Sequence, residues 1–131
     1  MTNPEHEDLI RHLRGIQYIV INENHGGFGL SKEAKLLYLE RAGVDYTLIP
    51  GPDRHTELLN GPQIRVNGHS WGEDDINRDD PILVDIVRQL GRQADGRFAK
   101  LKIVEVPVGV KWRIADYDGA EWVEEVHRTW R

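Results

Sequence analysis

The stretch VKWRIADYDGAEWVEEVHRTW, residues 110 to 130, decides how the chain is read. Asp118-Gly119 is a two-residue turn signal between β-rich runs, and such a turn joins antiparallel strands and sets their register. A turn there pairs Tyr117 with Ala120, Ile114 with Val123, and Arg113 with Glu124, so apolar meets apolar and plus meets minus. Alternation then sends Trp112, Ile114 and Val123 to one face, and Arg113, Trp122, Glu124, Val126, Arg128 and Trp130 to the other. The first face is predicted to be core and the second a mixed aromatic and charged surface.

Upstream of this hairpin, Phe98 to Val106 (FAKLKIVEV) alternates as a strand that carries Lys100 and Lys102 on one face and is ended by Pro107 and Gly109. Before it, Asp80-Pro81 is a strong helix start, and Ile82, Leu83, Ile86, Val87, Leu90 and Ala94 follow at helical spacing until Asp95-Gly96. Ile16 to Ile21 (IQYIVI) is almost wholly apolar and β-branched, the composition of a central strand covered on both faces. Ser31 can cap a helix over Lys32 to Ala42 that stops at Gly43. Val44 to Ile49 and Gln63 to Asn67 read as short strands within a region, 50 to 80, that is otherwise irregular. Asn3-Pro4 with Glu5 and Glu7 starts a short amphipathic helix that runs to Gly15. No repeat, low-complexity tract or linker interrupts the chain. The expected architecture is α+β: a single antiparallel or mixed sheet with about three helices packed on it and a C-terminal β-hairpin. Residues 1–131 are expected to form one domain, with 1–15 as a helical extension and 16–131 as the core.

Composition narrows the function. With 131 residues, 39% of them hydrophobic, the chain can build one core, and it holds no run of about 20 apolar residues that would span a membrane. The N-terminus has no signal-peptide pattern, so a cytoplasmic location is expected. Zero cysteines exclude a disulfide framework, a thiolate metal site and a cysteine nucleophile. A net charge of −5 argues against a general DNA or RNA binder. Twelve of the 17 basic residues are arginine, whose planar fork suits phosphate or carboxylate, although solvated surface arginines would produce the same count.

Four constellations bear on chemistry. Asn24 to Ser31 (NHGGFGLS) lies between a strand and a helix N-terminus, where His25, Gly26, Gly27 and Phe28 could approach an anion and stack on a base. A tight turn with positive φ explains the same glycines structurally, and neither the dinucleotide fingerprint nor the P-loop pattern is present. Asp75-x-Asn77-x-Asp79 imitates an EF-hand opening but puts Asp80 where Gly is needed and Ile86 where a bidentate Glu is needed, so a solvated acidic loop is the better reading. Six histidines are scattered without metal-ligand spacing. In the last third, Arg97, Lys100, Lys102, Lys111, Arg113 and Arg128 interleave with Trp112, Tyr117, Trp122 and Trp130, a mixture that holds nucleotides by stacking and phosphate contacts and equally serves as cross-strand stabilisation. Seven basic and six acidic residues in 97–131 limit any such site to a small local pocket.

Taken in order, Gly26-Gly27-Phe28-Gly29-Leu30-Ser31, Arg78-Asp79-Asp80-Pro81 with Leu83-Val84 and Leu90-Gly91, the run from Lys100 to Pro107, Tyr117-Asp118-Gly119 and His127-Arg128-Thr129-Trp130 resemble a widespread group of small phage and viral proteins. The resemblance covers residues 16–131, with the helix at Asn3 to Arg14 as an addition. The group is similar to phage anti-CBASS sponge proteins, which sequester cyclic-dinucleotide immune signals without cutting them. That resemblance implies a binding protein with no catalytic residue, no cofactor and no metal, acting as a homo-oligomer on a cyclic oligonucleotide. The residues themselves nominate His25, Gly26, Gly27, Phe28, Arg97, Lys100, Lys102, Arg113, Trp122, Arg128 and Trp130 as ligand contacts. Two other classes are expected to compete: a metal-dependent hydrolase or phosphodiesterase using His25, His69 and Asp74-Asp75, and a protein–protein inhibitor anchored by the tryptophans.

Overall fold

The computed structural model describes residues 15–55 and 62–126, in which two α-helices, a ribbon of two strands and a hairpin form three layers and three further strands form a separate small sheet. The middle layer is a two-stranded antiparallel ribbon of β1 (Ile16–Asn22) and β5 (Leu101–Pro107), registered with Ile19 opposite Val104. Its apolar run is covered on both faces as the composition of IQYIVI predicts, with Ile19 and Val20 at 0% exposure.

Val20 faces the helical layer, made of α1 (Lys32–Arg41) and α2 (Pro81–Leu90). α2 starts where Asp80-Pro81 predicts: the Asp80 carboxylate accepts the Ile82 N–H at 2.8 Å, and Pro81 occupies a first-turn position that lacks a backbone donor at no cost. It buries Leu83, Val84, Ile86 and Val87, each worth about 1.5–3 kcal/mol of apolar transfer. α1 contributes less, burying only Ala34 and Leu39, and is capped by Ser31, whose Oγ accepts the Ala34 N–H. Tyr38 of α1 stacks on Trp71 with ring centroids 6.0 Å apart, and its hydroxyl donates to Asp80 Oδ2 at 2.6 Å.

Ile19 and Ile21 face the other way, onto the hairpin of β6 (Trp112–Tyr117) and β7 (Ala120–Glu125). The hairpin has the predicted register, Tyr117 opposite Ala120, Ile114 opposite Val123 and Arg113 opposite Glu124. Positive φ at both Asp118 (52°) and Gly119 (88°) gives the turn the twist that such hairpins need. Trp112, Ile114 and Val123 pack on Ile19, Ile21 and Val106, and Trp112 Nε1 donates to Gln17 Oε1 at 3.1 Å.

The expectation of a single sheet is not met. There are three small antiparallel sheets, β1-β5, β6-β7 and β2-β3-β4, the last formed by β2 (Thr47–Ile49), β3 (Gln63–Val66) and β4 (His69–Trp71). The reason lies at the second edge of β1. Val20 donates its N–H to the Arg78 carbonyl at 2.8 Å, and its own carbonyl accepts from Arg78 Nη1 at 3.2 Å. Two residues on, the Asn22 N–H donates to Glu121 Oε1 at 2.8 Å. Hydrogen bonds that a neighbouring strand would provide are thus taken by one loop residue and one side chain from the hairpin, so β6-β7 lies over the face of the ribbon instead of extending it.

Of the three helices expected, two lie wholly among the described residues, where Arg54 and His55 are helical as well, and the one expected at Asn3 to Arg14 falls outside them. The helix predicted to reach Ala94 stops at Leu90, because Gly91 turns left-handed (φ 56°) and a single 3-10 turn, Gly91–Ala94, completes the segment. β4 was not anticipated. Asn67 and Gly68, both at positive φ, return the chain directly into it. No described helix is long and apolar enough to cross a membrane.

Arg78 and Glu121 form a bidentate pair, 2.8 and 2.9 Å, with side chains 19% and 9% exposed. Replacing Arg78 with Met strands the Glu121 carboxylate, so urea denaturation is expected to show a loss of about 3–5 kcal/mol, and the double variant Arg78→Met/Glu121→Leu much less. A second expectation concerns alkali. Burial, reinforced by hydrogen bonding to the Asp80 carboxylate, pushes the Tyr38 hydroxyl up to about 12. The unfolded chain ionises this group near pH 10 and the folded chain does not, so its contribution to stability is complete below pH 10 and declines from there towards pH 12. Tyr38→Phe is expected to flatten that decline in pH-dependent denaturation curves.

Candidate functional site

At the C-terminal end of β1, Asn22 organises the residues nominated from the glycine loop and the basic segment. Its side chain is fully buried and fully used: Nδ2 donates to the carbonyls of Asn24 (2.6 Å) and Gly119 (2.8 Å), and Oδ1 accepts the N–H groups of Asn24 (3.2 Å) and Lys100 (2.8 Å). One amide therefore ties together the end of β1, the glycine loop, the hairpin turn and the residue before β5. A buried amide with all its partners in place is stabilising and geometrically exacting.

Two glycines allow this convergence. A Cβ at Gly26 would lie 2.3 Å from the Phe98 carbonyl oxygen, and one at Gly119 would lie 2.4 Å from the His25 carbonyl oxygen and 2.6 Å from the Gly27 nitrogen. The glycine loop is thus held between the hairpin turn on one side and residues 96–98 on the other. His25, Gly26, Gly27, Arg97 and Lys100, nominated separately from the sequence, come together at this end.

Around the loop, the charges are partly balanced. Lys100 Nζ and Lys102 Nζ lie 3.7 and 3.6 Å from the same carboxylate, that of Glu23, with all three side chains at least a third exposed. Such pairs contribute little energy and leave both ammonium groups accessible. His25 Nδ1 lies 4.0 Å from Asp118 Oδ2, again in solvent. Phe98 is 65% exposed, and the Arg97 guanidinium lies 5.2 Å from its ring centroid. Arg97 has no carboxylate partner among the described residues.

Other nominated residues are placed elsewhere. The Phe28 ring packs against the helical core beneath the Arg78 guanidinium, 3.5 Å from its centroid, so that face is occupied by protein. The N-terminus of α1 is likewise engaged, since Ser31 Oγ takes the Ala34 N–H and donates to the Gln93 carbonyl at 2.7 Å. Arg113 and Trp122 sit on the outer hairpin face, both bound to Glu124: Arg113 Nε and Nη2 donate to Oε2 at 3.0 and 2.8 Å, and Trp122 Nε1 donates to Oε1 at 2.9 Å. Those bonds, the one from Trp122 first, hold the Glu124 carboxyl below its ordinary range. Arg128 and Trp130 lie outside the described residues. His25, His69 and Asp74-Asp75 do not assemble into a metal site, and no group of three or more His, Asp or Glu side chains suited to a metal occurs among the described residues.

Sequence reasoning missed Asn22, Arg78, Glu121 and the exposure of Phe98. For Glu121 a signal was present, because strand alternation from Val123 puts it on the inward face, where an unpaired carboxylate would be costly and a partner is required. For Asn22 no local signal distinguishes a buried amide from a turn residue. No family model, curated protein or solved structure matches the chain.

The glycine contacts have a measurable consequence. Gly119→Ala forces a Cβ against His25 and Gly27 at a residue whose φ is +88°, and is expected to cost on the order of 1–3 kcal/mol in urea denaturation while shifting the amide resonances of residues 24–27. Asp118→Gly, at the neighbouring positive-φ position, serves as the mild control.

Proposed function

We propose that this protein binds, without cleaving it, an anionic ligand with a planar ring system, of the cyclic-oligonucleotide class, at the end of the molecule formed by His25, Gly26, Gly27, Arg97, Phe98, Lys100 and Lys102. The observation that carries this reading is Phe98. A large aromatic ring left 65% exposed forgoes burial, and here it lies beside a guanidinium with no carboxylate partner among the described residues and on the same loop-bearing end as two accessible ammonium groups. Aromatic plane and mobile cations are what a base and its phosphates require. The acidic chain as a whole favours a small ligand over a polymer.

In the same proposal the protein acts as a homo-oligomer in the cytoplasm, with the outer hairpin face as the contact between copies. Tyr117, Trp122 and Val126 are 72%, 44% and 43% exposed on that face, and a two-fold contact through it would cover them.

The test is thermal unfolding of the full chain against a panel of cyclic di- and trinucleotides and cyclic ADP-ribose isomers. A ligand at about 100 Kd is expected to add about 2.7 kcal/mol, several degrees in Tm, and to be recovered unchanged after denaturation. Phe98→Ala and the double variant Lys100→Ala/Lys102→Ala are each expected to remove most of that shift with little effect on the Tm of the free protein. No shift across the panel, or ligand recovered in cleaved form, overturns the proposal.

A further inference from the structure

A second feature lies away from the loop end, along the N-terminal half of β1. Successive residues of an antiparallel strand turn their N–H and C=O groups to alternate edges. Val20 bonds to Arg78 on the edge away from β5, so Tyr18 and Ile16 direct their N–H and C=O groups to that same edge, before the point where Arg78 closes it. No strand pairs with them there among the described residues.

This open edge forms one wall of a cavity of about 380 Å³, which continues over Pro81 and Val84 and is rimmed by Asp79, Asp85 and Arg88. Arg88 lies over the Tyr18 ring, 4.3 Å from its centroid, so its charge rests against the wall. Asp79 and Asp85 are exposed, and neither side chain has a hydrogen bond or ion pair among the described residues. Among the described residues, the cavity therefore combines strand donors and acceptors without a partner, an apolar floor and an excess of unpaired negative charge.

We propose that this groove receives an extended, basic segment of a partner polypeptide, which adds to β1 as a short strand at Ile16–Tyr18. Backbone pairing supplies the binding, alternate side chains of the segment rest on Pro81 and Val84, and its cations face Asp79 and Asp85. The carboxylates disfavour nucleic acid, and the chain's own charge of −5 makes a second copy a poorer electrostatic match than a basic segment. The inference is independent of the ligand proposed for the loop end.

The experiment titrates isotope-labelled full-length protein with the capped hexapeptides Ac-KVKVKV-NH2 and Ac-EVEVEV-NH2, following amide shifts and amide hydrogen exchange. The lysine peptide is expected to shift the resonances of residues 16–18 and 79–88, to slow exchange at Tyr18 by about tenfold or more, and to leave Phe98 unchanged. Asp79→Asn/Asp85→Asn, at two exposed positions, is expected to weaken the peptide about fivefold, the scale of two exposed ion pairs. Unchanged exchange at Tyr18 with the lysine peptide, or an equal response to the glutamate peptide, overturns the proposal. Protection of Tyr18 that rises with protein concentration alone assigns the edge to a second copy and overturns it too.

Discussion

Strand β1 is paired along one edge, and the hydrogen bonds a second neighbour would give to Val20 and Asn22 come from Arg78 and Glu121. The rest of the architecture depends on that substitution. The Arg78 backbone fixes the loop before α2 to the middle layer, its guanidinium covers Phe28 and clasps Glu121, and Glu121 holds the hairpin over the ribbon. A charged pair this sheltered is not a cheap source of stability. Its value is that neither member tolerates the absence of the other, so the hairpin has one place to dock.

Because the edge is closed by Arg78 and the Glu121 side chain, the hairpin covers the face of β1-β5, and β1 is buried from both sides by different partners. Val20 belongs to the helical core with Leu83, Ile86 and Ala34, whereas Ile19 and Ile21 belong to a smaller core with Val106, Trp112, Ile114 and Val123. The stacking also carries the Asp118-Gly119 turn to the glycine loop, where Asn22 joins both. The loop-end surface with Phe98, Arg97, Lys100 and Lys102 is therefore a consequence of how the hairpin docks, and the candidate ligand site inherits its rigidity from Asn22 and Glu121. The closure stops at Val20, which leaves Tyr18 and Ile16 facing the groove beside α2.

Much of the local structure was legible in the sequence. Hairpin register followed from Asp118-Gly119 and alternation, the start of α2 from Asp80-Pro81, the cap of α1 from Ser31, and the double burial of β1 from its almost wholly apolar run. The candidate site was legible in part. Gly26, Gly27, His25, Arg97 and Lys100 were nominated from two distant segments that the fold joins, but Phe28 was expected to face a ligand and instead lies under Arg78. A glycine-rich loop shows that close approach occurs without showing what approaches.

The sequence by itself determined what depends on neighbours a few residues apart: turn type, helix caps, and which strand positions share a face. Those follow from backbone sterics and side-chain periodicity, which act locally. Tertiary structure alone decided which edges and faces meet. The contacts that separate three small sheets from one, Arg78 with Glu121 and Asn22 with Glu121 and Gly119, span 43, 99 and 97 residues. No local pattern encodes a partner at that distance, because an Arg among acidic residues or an Asn at a strand end reads the same whether solvated or buried. Only the docking of the hairpin, driven by burial of Ile19, Ile21 and Val123, brings the complementary groups together and makes their pairing obligatory.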